Sequence, residues 1–298
     1  MPVITSPLSS ALPVSQAEWE SWIDGWYAQL RQPVRTGVSP FAPNGPGTTS
    51  SPRVLVFAPH PDDECIVGAL PLRLRQEAGW RVINIAVTLG SKQERRAERW
   101  AELSAACDVL GFDLRLLSVD GFEQVKPDAA DAQTPLWQEQ VRLVAELLAA
   151  EKPALILVPH AGDGIPTHIG VHRLVTEALR QSKLSTVMAH TEFWATQPDP
   201  TALVETGRRD TALLVRALAC HHGEVARNPY HLRLPAWMAD NVRRGGELIA
   251  GPGETPPDFA FGTLYRLTRW VAGAPAGDLT AAQFPADTAL DTAKLLGA

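Results

Sequence analysis

Short apolar runs alternate with longer amphipathic stretches through the middle of the chain. From Arg53 onward, runs of six to nine residues rich in Val, Ile and Leu are typical of buried strands: VLVFAP, VINIAVT, LRLLSV, ALILVP and TVMAHTEFW. Helical spacing between them predicts helices over Cys65–Ala78, Lys92–Leu110, Pro135–Ala150 and Ile169–Gln181. This alternation predicts an α/β fold, a Rossmann-like and mostly parallel sheet with helices on both faces.

The alternation is confined to the middle of the chain. Residues 1–52 predict an N-terminal extension, in which Trp19, Trp22 and Trp26 follow helical spacing before a segment rich in Pro and Gly. Residues 53–298 predict a single main domain. After Thr196 the pattern weakens, and two further helices are expected before a tail rich in Pro, Gly and Ala; they cover Asp210–His222 and Ala236–Leu248.

Composition and charge disfavour a nucleic-acid-binding protein and a membrane protein. A formal net charge of −6 gives no basic surface for nucleic acid, and no apolar run approaches the roughly 20 residues of a membrane span. The first residues lack the pattern of a secretory signal, and three widely spaced cysteines do not suggest a disulfide framework. These features predict a soluble cytoplasmic protein.

The motif HPDDE follows the first predicted strand, at the edge of the sheet where α/β proteins bind ligands. His60 and Asp63 are three residues apart, so one turn could aim an imidazole and a carboxylate at the same point. Nitrogen and carboxylate oxygen suit Zn²⁺, and Asp62 would be free to act as a general base. Helix capping alone accounts for Glu64, but it does not account for the histidine.

A third metal ligand is expected from another strand end. The stretch VPHAGDGIPTHIGVHRLV offers His160, His168 and His172. His160 ends the fourth predicted strand, whereas His168 and His172 could share one helix face at the i, i+4 spacing of some metal sites. The residue pattern alone leaves this choice open.

The segment APHPDDE resembles the signature of the LmbE/PIG-L N-deacetylases, and weaker similarity extends from about Arg53 to Leu248. The resemblance implies removal of an N-acetyl group from an N-acetylglucosamine-type substrate by attack of a zinc-bound water. It implies that His60 and Asp63 bind Zn²⁺, that Asp62 is the general base, and that His168, in IPTH, is the third ligand. Other divalent metals such as Fe²⁺ are compatible with this ligand set.

Two positions depart from the family pattern. Ile165 stands where the family has a histidine that stabilises the oxyanion, and Thr167 stands where it has an aspartate. We expect His160 or His221 to replace the missing histidine, with His160 favoured because it ends a neighbouring strand.

Weaker similarities suggest residues that bind the substrate. Arg99 lies in RWAEL and Asp120 in VDGFE, both of which resemble segments that contact substrate in the family. Later aromatic and basic residues could line a sugar pocket; they are Tyr230, Trp237 and Arg243. The expected partner is a small amino-sugar conjugate, and self-association is left open.

Two alternatives to the deacetylase interpretation remain. The chain could be a metal-dependent hydrolase of another amide or of an ester. It could also be a catalytically inactive carbohydrate-binding homologue, because Ile165 and Thr167 replace polar groups of the family site.

Overall fold

The structure is a computed structural model that describes residues 50–297, together with residues 16, 17, 20, 21, 24, 25 and 28. The chain divides into two units, Met1–Arg35 and Thr36–Ala298. The seven described residues of the first unit are all helical, in agreement with the expected helix. Its tryptophans Trp19, Trp22 and Trp26 lie outside the described residues.

Nine strands form one sheet in the second unit. They are β1 (Arg53–Ala58), β2 (Arg81–Ala86), β3 (Asp113–Leu116), β4 (Leu155–Pro159), β5 (Thr186–Thr191), β6 (Ala202–Glu205), β7 (Gly262–Val271), β8 (Ala274–Asp278) and β9 (Ala282–Phe284). The first five strands are parallel in the order β3-β2-β1-β4-β5. Strand β7 then runs antiparallel to β5 and to β6, while β9 pairs with β6 and β8 with β7.

Helices lie between the strands. They are α1 (Asp63–Ile66), α2 (Leu70–Ala78), α3 (Arg96–Leu110), α4 (Pro127–Asp131), α5 (Pro135–Glu151), α6 (Pro166–Ser182), α7 (Arg208–Leu218), α8 (His222–Arg227), α9 (Leu234–Gly245) and α10 (Thr292–Leu296). Short 3₁₀ turns occur at Gln93–Arg95 and Tyr230–Leu232, and a π-helical turn at Gly246–Ala250 follows α9. No described helix is both long and apolar enough to span a bilayer.

Side chains of each central strand alternate between two buried layers. Val54 and Val56 of β1 pack into one apolar cluster, while Leu55 and Phe57 pack into the other. Helices α2, α3 and α7 cover the first layer, and α4, α5 and α6 cover the second. Because both faces are covered, the strands are apolar at consecutive positions. This arrangement confirms the predicted α/β fold with a mostly parallel sheet.

Two predicted features differ in detail. The helix expected over Cys65–Ala78 is broken at Gly68, whose φ of +82° interrupts the helical backbone between α1 and α2. A Cβ on Gly68 would come within 3 Å of the Thr263 side chain, so the break also lets β7 approach closely. The tail expected after the last helix contains β7, β8 and β9, which extend the sheet. The pairings of β7 and β8 are antiparallel, whereas β9 pairs with β6 in parallel.

The order of the parallel strands explains where a site can form. Strands β2 and β3 lie on one side of β1, and β4 and β5 lie on the other side. The loops after β1 and β4 therefore diverge and leave a crevice at the carboxyl ends of these two strands, where ligands bind in open α/β sheets. HPDDE follows β1, and the loop from His160 to α6 follows β4.

Candidate active site

Three potential metal ligands meet in the crevice between β1 and β4. His60 lies in the turn after β1, Asp63 begins α1, and His168 lies in the first turn of α6. Asp63 Oδ2 is 3.3 Å from His60 Nδ1 and 3.3 Å from His168 Nε2, and the two nitrogens are 3.2 Å apart. One ligand atom from each residue lies within 4.8 Å of the others. Two imidazoles and one carboxylate form the donor set of many catalytic zinc sites, so these residues fit a metal ion.

The electrostatics of the cluster agree with a cation site. Burial alone would raise the pKa of Asp63, but His168 and His60 lower it below its ordinary value. Burial alone would lower the pKa of His168, but Asp63 and Asp163 raise it to about 10. In the metal-free protein a proton on His168 therefore compensates the carboxylates, and a bound metal would displace that proton.

His168 is supported from behind by groups that fix its ring. Its Nδ1 lies 3.4 Å from Asp163 Oδ1, and the Phe193 ring meets the imidazole edge-on at 5.0 Å between centroids. Asp163 in turn accepts the backbone N–H of Ile165 at 3.0 Å and that of Trp194 at 3.3 Å. A carboxylate behind a histidine ligand sets its orientation and basicity. Only the position of Asp163 near His168 in the chain points to this role from the sequence.

Asp62 lies beside the cluster and carries a strained backbone. Its φ of +120° lies in a region that residues other than glycine rarely adopt. The Tyr230 hydroxyl donates to Asp62 Oδ2. Burial, together with the neighbouring Asp63, raises the pKa of Asp62 above that of an ordinary aspartate. The side chain can therefore accept a proton near neutral pH.

Glu64 is fully buried and is the centre of a hydrogen-bond network. Its Oε1 accepts from His221 Nε2 at 2.7 Å and from Cys65 Sγ at 3.0 Å, and its Oε2 accepts the Asp62 N–H at 2.9 Å. Glu64, Cys65 and His221 also lie close enough to hold a metal. However, burial and the adjacent Glu64 raise the pKa of Cys65, which keeps its thiol protonated. We therefore interpret this second cluster as a hydrogen-bond network. Helix capping, the role expected for Glu64, does not describe it.

A cavity of about 890 Å³ opens over the metal-ligand cluster. His60, Asp62 and Asp63 form part of its wall, and Arg99, Ile165 and Thr167 also line it. Arg99 Nη2 donates to the Pro61 carbonyl at 3.1 Å and lies 3.7 Å from Glu224 Oε1. The guanidinium is thus fixed at the cavity wall. Ile165 presents an apolar side chain where the family pattern has a histidine.

A second cavity of about 360 Å³ is lined by Trp194, Trp237 and Arg244, among other residues. Trp194 also lines the larger cavity, so this residue borders both cavities. It is 50% exposed, and its ring meets Trp237 edge-on with centroids 6.1 Å apart. Arg244 donates to Glu192 and Asp240. The second cavity thus combines aromatic surfaces with paired charges.

Several predicted residues are not at the cavities. His160 is buried, with Nε2 2.9 Å from the Ala195 carbonyl and Nδ1 accepting the Gly162 N–H at 3.2 Å. Because backbone groups occupy both ring nitrogens, the structure does not support His160 as an oxyanion donor. His221 is buried against Glu64 and, among the described residues, is not part of the cavity wall.

Two expected substrate contacts also differ. Asp120 is exposed and lies outside the described lining of both cavities, whereas Glu123 lines the larger one. Arg243 is exposed and pairs with Asp240 at 2.9 Å, and its neighbour Arg244 lines the second cavity instead. Tyr230 contacts Asp62, and Trp237 lines the second cavity. The sequence pattern does not show which way the chain turns around Asp120. It also does not show which of two adjacent helical residues, Arg243 or Arg244, faces a cavity.

Comparison with known proteins gives a family match over part of the chain. Residues 55–179 match the PIG-L family, described as GlcNAc-PI de-N-acetylase. This match covers less than half of the chain and confirms the resemblance to PIG-L over these residues. The matched region contains the HPDDE segment and His168, so the crevice between β1 and β4 coincides with the part that defines the PIG-L match.

Curated proteins similar to this chain are described as deacetylases. A 1D-myo-inositol 2-acetamido-2-deoxy-alpha-D-glucopyranoside deacetylase from Nocardia farcinica is 29% identical over 160 residues, which cover 45% of this chain and 53% of that protein. The chain thus spans about half the length of this relative. A protein of the same description from Actinosynnema mirum is 28% identical over 214 residues, covering 63% of this chain and 70% of the relative.

Solved structures share the fold. The N,N'-diacetylchitobiose deacetylase from Pyrococcus horikoshii aligns with a TM-score of 0.54 at 15% identity, covering 89% of this chain and 95% of that one. At this identity the likeness concerns the fold alone, so the reaction of this chain has to be argued from its own site.

Proposed function

We propose that the chain is a metal-dependent N-deacetylase that hydrolyses the acetamide of an N-acetylglucosamine-type substrate. The observation that carries this proposal is the convergence of His60, Asp63 and His168, with one ligand atom each within 4.8 Å, beside Asp62 at the wall of a large cavity. Under this proposal residues 53–298 form the catalytic part and residues 1–52 an extension.

His60, Asp63 and His168 would hold the metal, which we propose to be Zn²⁺. When bound there, Zn²⁺ supplies a Lewis acid that polarises the amide carbonyl and favours ionisation of water near neutral pH. Asp163 and Phe193 keep the His168 ring in the orientation that this role requires.

Asp62 would carry the proton during hydrolysis. As water attacks the acetyl carbonyl, the carboxylate of Asp62 accepts a proton from that water. The C–N bond then breaks, and Asp62 returns the proton to the departing amine, leaving acetate and the free amino sugar. Because burial and Asp63 raise the pKa of Asp62, its carboxylate is a stronger base than an exposed aspartate.

The two cavities support a substrate larger than one sugar ring. The larger cavity would hold the acetylated sugar, with Arg99 as a hydrogen-bond donor in its wall. The second cavity, which Trp194 also borders, would hold the rest of the molecule. The aromatic surfaces of Trp194 and Trp237 can pack against the apolar face of a ring, and Asp240 and Arg244 can bind its hydroxyl groups.

The test is acetate release by the purified full chain from a panel of N-acetylated sugars, with the bound metal quantified. We expect metal-dependent release that a chelator abolishes and added Zn²⁺ or Fe²⁺ restores. Release from esters but not from acetamides would contradict the proposal in favour of a different hydrolase. Bound metal without turnover of any acetamide would favour an inactive carbohydrate-binding protein.

A further inference from the structure

We propose that the segment from His221 to Tyr230 positions Asp62 through two separate contacts. His221 acts through Glu64 on the Asp62 backbone, and Tyr230 acts directly on the Asp62 carboxylate. This inference rests on the proposed function of Asp62 as the general base. It assigns His221 and Tyr230 as positioning residues, in place of the catalytic and substrate-binding roles expected from the sequence.

The backbone of Asp62 needs an external constraint. With φ at +120° and ψ at −28°, this residue adopts a conformation that its side chain disfavours. Such a conformation persists only when neighbouring groups hold it. The Asp62 N–H donates to Glu64 Oε2 at 2.9 Å, and this contact fixes the peptide plane that precedes Asp62.

Glu64 can hold that N–H because His221 compensates its buried carboxylate. Both side chains are fully buried, and His221 Nε2 lies 2.7 Å from Glu64 Oε1. A buried carboxylate without a donor would be strongly unfavourable and would shift or become protonated. His221 itself is held where α7 ends, because its N–H donates to Leu218 O at 3.1 Å and its carbonyl accepts from Glu224 N at 3.1 Å.

Tyr230 restrains the other end of Asp62. Its side chain is buried, and its hydroxyl donates to Asp62 Oδ2. Tyr230 is the first residue of the 3₁₀ turn Tyr230–Leu232, and within residues 50–297 no hydrogen bond is made to Asp62 Oδ1. One carboxylate oxygen is thus fixed by the protein, and the other is left for water. With Oδ2 bound by Tyr230, Asp62 would accept a proton at Oδ1.

The first experiment is a double-mutant cycle between Tyr230→Phe and Asp62→Asn in the metal-loaded full chain. We expect Tyr230→Phe to lower kcat at least about 10-fold, with KM and metal content unchanged, because only the orientation of the base is lost. In the Asp62→Asn background the same change should have no further effect. Tyr265→Phe is the matched control, since its buried hydroxyl donates to Val67 O, and kcat should stay within about twofold. Equal losses from Tyr230→Phe in both backgrounds would overturn the proposal.

The second experiment separates positioning from packing at His221. His221→Gln retains a side-chain N–H that can reach Glu64, whereas His221→Asn is one methylene shorter and cannot. We expect kcat to fall at least about 10-fold in His221→Asn and to remain within about threefold of wild type in His221→Gln. Equal losses in both variants, or none in either, would overturn the role of His221.

A readout without turnover keeps this inference separate from the proposed function. Crystal structures of the metal-free wild type, Tyr230→Phe and His221→Asn proteins would show the geometry of Asp62 directly. We expect the positive φ in wild type, a changed backbone in His221→Asn and a rotated carboxylate in Tyr230→Phe. Unchanged Asp62 geometry in both variants would contradict positioning, whereas a wild type that releases no acetate would contradict the deacetylase alone.

Discussion

Asp62 and Asp63 are adjacent in the chain, yet their surroundings shift their pKa values in opposite directions. Burial raises the pKa of both carboxyl groups, but His168 and His60 lie close to Asp63 and lower its pKa overall. Asp62 has Asp63 as its neighbour, which raises its pKa further. Under the proposed function, Asp63 stays ionised to bind the metal, while Asp62 accepts the proton. Paired carboxyl groups with divergent environments commonly divide their roles in this way.

A second prediction concerns the side chain of Ile165. It lines the larger cavity ahead of α6, where it offers no hydrogen-bond donor to a developing oxyanion. Because one well-placed donor changes kcat by about 10²–10³-fold, Ile165→His should raise kcat by at least about 10-fold. The measurement is the rate of acetate release at saturating substrate, with metal content determined alongside. Ile165→Leu should show no gain, and an unchanged or lower kcat in Ile165→His would contradict this interpretation.

The sequence pattern predicts the site residues of the HPDDE segment but not all of the groups that hydrogen-bond to that segment. The motif HPDDE indicates His60, Asp62 and Asp63 as site residues because these polar side chains follow a buried strand. It could not assign Glu64, whose partner His221 lies 157 residues away in the chain. Nor could it show that the ring of His160 is bound by the Ala195 carbonyl, which lies 35 residues away. Contacts between distant segments depend on the tertiary fold, which local patterns do not encode.

At the scale of whole elements, the parallel half of the sheet was predictable and the antiparallel half was not. Strands β1, β2 and β4 are buried on both faces, so they appear as continuous apolar runs. In β7 buried and partly exposed residues are mixed, and every residue of β8 is exposed. Their polar residues and their glycines obscure the strand pattern, so this part of the chain resembled an irregular tail.

The segment after β5 connects the sheet to both cavities, and it gives a prediction about substrate size. Phe193 packs on His168, and Trp194 borders both cavities. Trp194→Ala should raise KM at least about 10-fold for an N-acetylated disaccharide and less than about twofold for N-acetylglucosamine, with kcat unchanged. Leu136→Ala, at an exposed position of α5, is the matched control for loss of an apolar side chain. Equal effects on both substrates would remove the second cavity from substrate binding.

For the whole molecule, the buried histidine His190 makes the free energy of unfolding depend on pH. His190 of β5 is hydrogen-bonded to Thr268 Oγ1 at 3.0 Å. Burial, followed by the nearby His172, Arg266 and His160, lowers the pKa of His190 to about 3. The folded state therefore binds fewer protons than the unfolded state between about pH 3 and the ordinary histidine pKa of ~6.5. Consequently the free energy of unfolding should fall as pH drops below ~6.5, and this loss levels off below about pH 3.

The corresponding variant is His190→Gln, which keeps a hydrogen-bonding side chain but does not titrate. Between pH 7 and pH 5, wild type should lose up to about 2 kcal/mol more than the variant in the free energy of unfolding. Urea unfolding at the two pH values measures this difference, and comparison with the variant cancels the contribution of other titrating groups. The same pH dependence in both proteins would show that His190 is not held neutral by the fold.

The proposed function requires a metal site and, beside it, a separate general base, Asp62. Its most direct test is Asp62→Asn, measured for metal per chain and for kcat of acetate release under identical conditions. Asn is nearly isosteric with Asp, so it meets the same backbone strain at this position, and it cannot accept the proton. We predict one metal ion per chain in both proteins and a loss of about 10²–10⁴-fold in kcat for Asp62→Asn. Wild-type turnover by Asp62→Asn with its metal intact would contradict the account.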